Sequence, residues 1–101
     1  MELTITSKQR AFLRSLSSKE DTILMVGKGG VTDTIIKQAE DALEARELIK
    51  GKVLESSPTA VSDVAVKLAE QTNSIMVQVI GFKFVLYRPN KEKKIIALPR
   101  K

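Results

Sequence analysis

The chain of 101 residues has no cysteine, no histidine and no tryptophan. The missing cysteine excludes disulfides, thiol nucleophiles and thiolate-bound zinc. The missing histidine removes the side chain whose ordinary pKa lies nearest neutrality, and with it the commonest proton shuttle and metal ligand. Catalysis would have to rest on carboxylates, lysines and hydroxyls, and no pattern of nucleophile, base and oxyanion donors stands out. The expectation is a binding protein, not an enzyme, with no metal, no cofactor and no small-molecule substrate. Long apolar runs are missing too. Nothing approaches the roughly 20 residues a membrane span needs. The opening MELTITSKQR lacks the apolar core of a signal peptide, so a cytoplasmic location is expected.

What is present suits one soluble domain over residues 1–101, with a hydrophobic fraction of 43% and a length sufficient for a single core. A monomer is the simplest expectation. The net charge of +5 is unevenly spread. From Phe82 to Lys101 there are seven basic residues (Lys83, Arg88, Lys91, Lys93, Lys94, Arg100, Lys101) against Glu92 alone, and the tail from about residue 89 is basic. From Asp33 to Glu47 there are five acids (Asp33, Glu40, Asp41, Glu44, Glu47) against Lys37 and Arg46. Such polarity offers one face to a polyanion, although an ordinary solvated tail would look similar.

The apolar pattern reads as helix, strand, helix, strand, helix, strand, strand. The first helix spans about Ser7 to Ser17, with Thr4 or Thr6 as N-cap and Phe12, Leu13 and Leu16 as its stripe. Thr22 to Val26 reads as a short buried strand. The second helix, about Asp33 to Arg46, buries Ile35, Ile36, Ala39 and Leu43, and its acids face solvent. In the next strand Ile49, Gly51 and Val53 share one side, Lys50 and Lys52 the other. After the break at Pro58, Val61, Val64, Ala65, Leu68 and Ala69 mark a third helix. SIMVQVIG and FKFVLYR form an antiparallel hairpin about Gly81, ended by Pro89. Ile95, Ile96 and Leu98 allow the tail to pack back. The fold class expected is α/β, a small mixed four-stranded sheet with three helices.

The sequence VGKGGVTD places three glycines and a lysine between strand and helix. A P-loop needs four residues between its first glycine and Gly-Lys-Ser/Thr, yet here Lys28 directly follows Gly27. A dinucleotide fingerprint needs glycine three places after Gly29, where Thr32 stands. What remains is G-x-x-G, Gly27 to Gly30. Glycines admit a sugar-phosphate chain against the backbone, the helix start offers N–H donors and a favourable dipole, and Lys28 adds a mobile charge. Thr32 caps the helix or donates its hydroxyl, and Asp33 opposes an anion. By itself the tetrapeptide favours a plain turn.

In order along the chain, SKQRAFLRSL (7–16), VGKGGVTDTIIKQAEDALEARELIK (26–50), VQVIGFKFVLYR (77–88) and ALP (97–99) resemble the CRM domain (chloroplast RNA splicing and ribosome maturation). They are most similar to its small stand-alone bacterial YhbY-like members, over roughly Leu3 to Pro99. The resemblance implies an RNA-binding domain folded like the C-terminal domain of bacterial translation initiation factor three. Its G-x-x-G loop would meet the nucleic-acid backbone as the corresponding loop of KH domains does. It also implies association with precursors of the large ribosomal subunit. Carried over by position, the loop supplies Gly27, Lys28, Gly29 and Gly30, and Lys8, Arg10 and Arg14 match the basic first-helix positions. Gly51 departs from the pattern, since a β-branched residue would suit the strand better.

The function expected is non-enzymatic binding of ribosomal RNA, with Lys28 on a phosphate and Arg10, Arg14, Lys50, Lys52, Lys83 and Arg88 supplying the surrounding field. Phe12 and two of the other aromatics (Phe82, Phe84, Tyr87) belong to the core, so base stacking is secondary, with Tyr87 the candidate for it. The alternative is a protein-interaction adaptor using Glu40, Asp41, Glu44 and Glu47 on the second helix.

Overall fold

The computed structural model describes residues 4–90 and 95–99. Its elements are α1 (Ser7–Ser17), β1 (Thr22–Val26), α2 (Asp33–Arg46), β2 (Leu48–Val53), α3 (Val61–Thr72), β3 (Ile75–Ile80) and β4 (Lys83–Tyr87). The strands form one mixed sheet in the order β1-β2-β4-β3. The β1–β2 pair is parallel and joined through α2, while β4 runs antiparallel to both β2 and β3. The α/β class, the three helices and the four-stranded mixed sheet are those expected.

Local chemistry sets the helix starts. At α1 it is Thr6 that caps: its hydroxyl accepts from the Gln9 N–H at 3.2 Å, and the Thr6 N–H donates to the Gln9 side chain at 3.0 Å. This is a reciprocal capping box. Thr32 caps α2 by accepting from the Ile35 N–H at 3.2 Å.

The sheet has two unlike faces. Against one, α2 and α3 bury Leu24 and Val26 of β1, Ile49 and Val53 of β2, and Phe84 and Leu86 of β4. Against the other, α1 packs Leu13 on Leu48, Val77, Val85 and Tyr87, joined by Ile96 and Leu98 of the tail. One helix cannot cover a four-stranded face. So β1, which reads as wholly buried, buries only Leu24 and Val26 and leaves Ile23 and Met25 exposed.

Gly51 corrects a second expectation. It pairs with Phe84 across β2 and β4, and a Cβ there would lie 2.2 Å from the Phe84 ring. The missing side chain makes room for the largest fully buried side chain, so glycine is a packing requirement and not a weak point. Among the aromatics Phe84 and Tyr87 are buried, Phe12 is only half-buried, and Phe82 is exposed. Tyr87 is therefore unavailable for stacking on a base.

Glu47 ends α2 with φ +66°, unusual for a side chain other than glycine, and is fully buried. Its carboxylate accepts the Asn90 N–H, the Ile95 N–H at 2.9 Å and the Ile96 N–H at 2.6 Å. Its backbone carbonyl accepts the Arg88 N–H at 2.8 Å. These donors replace the water that burial removes. Glu47 therefore belongs to the fold and not to an acidic surface. Burial, and secondarily the Glu47 charge, push the Tyr87 phenol above its ordinary pKa. The tail residues Lys91, Lys93, Lys94, Arg100 and Lys101 lie outside the described residues.

Candidate nucleic-acid interface

Parallel pairing aligns the C-terminal ends of β1 and β2, since Val26 pairs with Val53. The β3–β4 turn reaches the same end, because the Val53 N–H donates to the Phe82 carbonyl at 2.7 Å. Three connections therefore meet there: residues 27–32, residues 54–60 and the Gly81–Phe82 turn. Both α2 and α3 start at this end, so the positive ends of two helix dipoles converge on it. The α3 start, at Ala60, has no side-chain cap.

Residues 27–30 form a tight turn, with the Gly30 N–H donating to the Gly27 carbonyl at 2.9 Å. Gly30 is buried at φ +66°, an angle at which a Cβ is strained. The other two glycines are different. Neither has positive φ. A Cβ at Gly27 would come no closer than 3.4 Å to Leu54, and one at Gly29 no closer than 3.5 Å to Thr32, both ordinary contact distances. The fold thus demands glycine at 30 only. Positions 27 and 29 present bare backbone, with the exposed Lys28, unpaired among the described residues, between them.

The open part of the α1-side face is continuous with this turn. Strand register places Met25, Lys52, Lys83 and Ile80 side by side across β1, β2, β4 and β3. Met25 is 57% exposed and Ile80 60%. Between them stand two lysines with no acidic partner among the described residues. Beside this row a groove of about 490 Å³ runs between the C-terminal half of α1 and the sheet, lined by Arg14, Ser15, Ser18, Lys50, Gln78 and Lys83 among others. Among the described residues no acid lines it.

The basic residues singled out in the sequence divide into two sets. Lys28, Lys52, Lys83 and Arg14 reach solvent around the turn, the row and the groove; Lys8 is exposed in the first turn of α1, outside the groove. Arg10, Lys50 and Arg88 are committed to the fold instead. Arg10 donates to the Met76 and Val77 carbonyls at 2.7 and 2.8 Å, where the β3–β4 register is irregular. Lys50 donates to the Ser17 carbonyl at 3.2 Å and so holds the end of α1. Arg88 pairs with Glu40 at 2.8 Å and Glu44 at 3.2 Å and donates to the Thr72 carbonyl. The acidic face of α2 is correspondingly reduced: Glu47 is buried, Glu40 and Glu44 serve Arg88, and Asp41 faces Lys37 at 3.5 Å. Thr32 is exposed, with its oxygen engaged as a cap.

Residues 5–88 match the family model of the CRS1/YhbY (CRM) domain. The chain belongs to this family. It is 50% identical over 95 residues to the "Probable RNA-binding protein YqeI" of Bacillus subtilis, covering 94% of this chain and 99% of that one. It is 37% identical over 98 residues to a protein of Haemophilus influenzae named "RNA-binding protein", covering 97% and 98% of the two chains. The solution structure of Staphylococcus aureus SAV1595 superposes with a TM-score of 0.79 at 47% identity, covering 95% of this chain and all of that one. The family match spans the turn, the groove and the open row. The placement of Met25, Ile80 and Gln78 beside the basic residues escaped sequence reasoning. An unbroken apolar run such as TILMV gives no sign of which of its faces lacks a covering helix.

Proposed function

We propose that this protein is a non-enzymatic RNA-binding protein that holds the sugar-phosphate backbone against the Gly27–Gly30 turn. The observation that carries this reading is that Gly27 and Gly29 answer no demand of the fold. Bare backbone beside an unpaired lysine, at the converging starts of two helices, suits a ligand with phosphate oxygens and little lateral clearance. The names of the B. subtilis and H. influenzae relatives support RNA as that ligand. Within the family reading, the RNA is ribosomal RNA of large-subunit precursors. Lys28 pairs with a phosphate, the N–H groups of Lys28 and Gly29 donate to its neighbours, and Arg14, Lys52 and Lys83 extend the field over the open sheet. No observation favours the adaptor alternative, since most of the acids it requires are engaged internally.

The decisive experiment is a salt titration of RNA affinity for the parent chain and Gly29→Asp. Several phosphate contacts predict a steep loss of affinity with salt. The aspartate should abolish most binding while the thermal transition stays in place. A flat salt response, or a folded Gly29→Asp chain with unchanged affinity, would remove the turn from the interface. Crosslinking in cells tests the RNA class: recovery of large-subunit ribosomal RNA at one locus is expected, and a diffuse pool of transcripts would contradict it.

A further inference from the structure

We propose that the groove between α1 and the sheet receives an unpaired nucleotide of the bound RNA, so that the protein selects single-stranded over fully paired RNA. This rests on the RNA-binding reading above and adds to it a ligand class that the turn alone does not specify. The volume of about 490 Å³ lies within the range of small-molecule sites. Its chemistry is divided as a nucleotide's is. Arg14 and Lys83 supply cations with no acid among the lining residues, Ser15 and Ser18 supply hydroxyls, and the exposed Ile80 supplies an apolar surface. The Gln78 amide, a donor and an acceptor together, has no partner among the described residues and can meet a base edge.

Lys50 completes the argument. The C-terminal end of a helix carries partial negative charge and would repel phosphate. By binding the Ser17 carbonyl, Lys50 offsets that charge where α1 borders the groove. The groove also lies on a path to the turn. From Lys83 the register steps through Lys52 to Met25, two strand spacings or about 10 Å. Two residues beyond Met25 is Gly27. A paired A-form helix would present stacked bases here and make no use of the apolar surface, whereas an unstacked base can lie on it.

The test compares anisotropy-measured affinities of the full chain for a single-stranded oligoribonucleotide and a blunt duplex of equal length. The parent chain is expected to prefer the single strand at least tenfold. Gln78→Ala combined with Ile80→Ser, and separately Ser15→Tyr, which fills the groove from the exposed side of α1, should reduce that preference below threefold, the loss falling mainly on the single strand. Lys28→Ala should weaken both RNAs by the same factor. Equal affinity of the parent chain for the two RNAs, or an unaltered preference in both groove variants, overturns the groove while leaving the turn intact. Failure of the parent chain to bind either RNA overturns the RNA reading, and the groove with it.

Discussion

On one face of the sheet α2 and α3 bury Leu24, Val26, Ile49, Val53, Phe84 and Leu86; on the other, α1 reaches Leu48, Val77, Val85 and Tyr87 but leaves Met25, Lys52, Lys83 and Ile80 open. The first face is closed around a ring seated on a glycine. The second is half closed, and its uncovered half mixes apolar and cationic side chains without acids. A sheet needs only one well-buried face and part of the other to fold, so the remainder is available to a ligand. The difference also sorts the cations. Arg88 is used on the closed side, between α2 and the end of α3, whereas Lys83, five residues earlier, has no partner among the described residues.

The sharpest way to break the comparison is to empty the closed face. Phe84→Ala should cost about 3–5 kcal/mol in denaturant unfolding, against less than about 0.5 kcal/mol for Met25→Ala on the open face. Equal losses would mean that the two faces are equally structural. Gly51→Val overfills the same core, since the added Cβ falls 2.2 Å from the Phe84 ring, and a loss on the order of 1–3 kcal/mol is expected. A neutral Gly51→Val would show that the ring has room to move.

The cations sharpen the contrast in both directions. Arg88→Ala should lower stability by about 1–2 kcal/mol through its lost hydrogen bonds, with RNA affinity little altered. Lys28→Ala should do the reverse, weakening RNA binding several-fold and reducing the salt slope by about 1 with an unchanged melting temperature. If both variants changed affinity alike, the division between fold cations and surface cations would fail. The smallest effect concerns alkali. The folded chain holds the Tyr87 phenol above the unfolded value near 10, so its contribution is fully present below pH ~10 and is lost as pH rises past it. Tyr87→Phe should flatten the fall in stability above that pH, as followed by urea titration at pH 9 and 11.

The elements were readable in the sequence because their signals are local. Thr6 with Gln9 and Thr32 with Ile35 lie within one turn of each other, and the apolar stripes of α1, α2 and α3 repeat within a few residues. The glycine turn was readable by the same logic, as spacing alone excluded two phosphate loops. What escaped depends on contacts between distant segments. Arg10 meets carbonyls 66 and 67 residues away, and Arg88 meets Glu40 48 residues away. No window of sequence shows that a basic residue in a matching position is already engaged. Gly51 escaped likewise, because its reason is Phe84 on another strand. The open half-face follows from α1 lying alone on its side, which is a matter of tertiary arrangement and not of periodicity.

Glu47 bears on where this domain can be cut. The family match stops at residue 88, yet a carboxylate well inside that span takes hydrogen bonds from Ile95 and Ile96, and Gln9 of α1 donates to the Pro99 carbonyl at 2.9 Å. A shortened chain ending at the match would leave a buried acid without its donors and α1 without its far anchor. Anyone grafting this domain into a larger protein should therefore carry the segment through Pro99, or replace Glu47 with a residue that needs no donors.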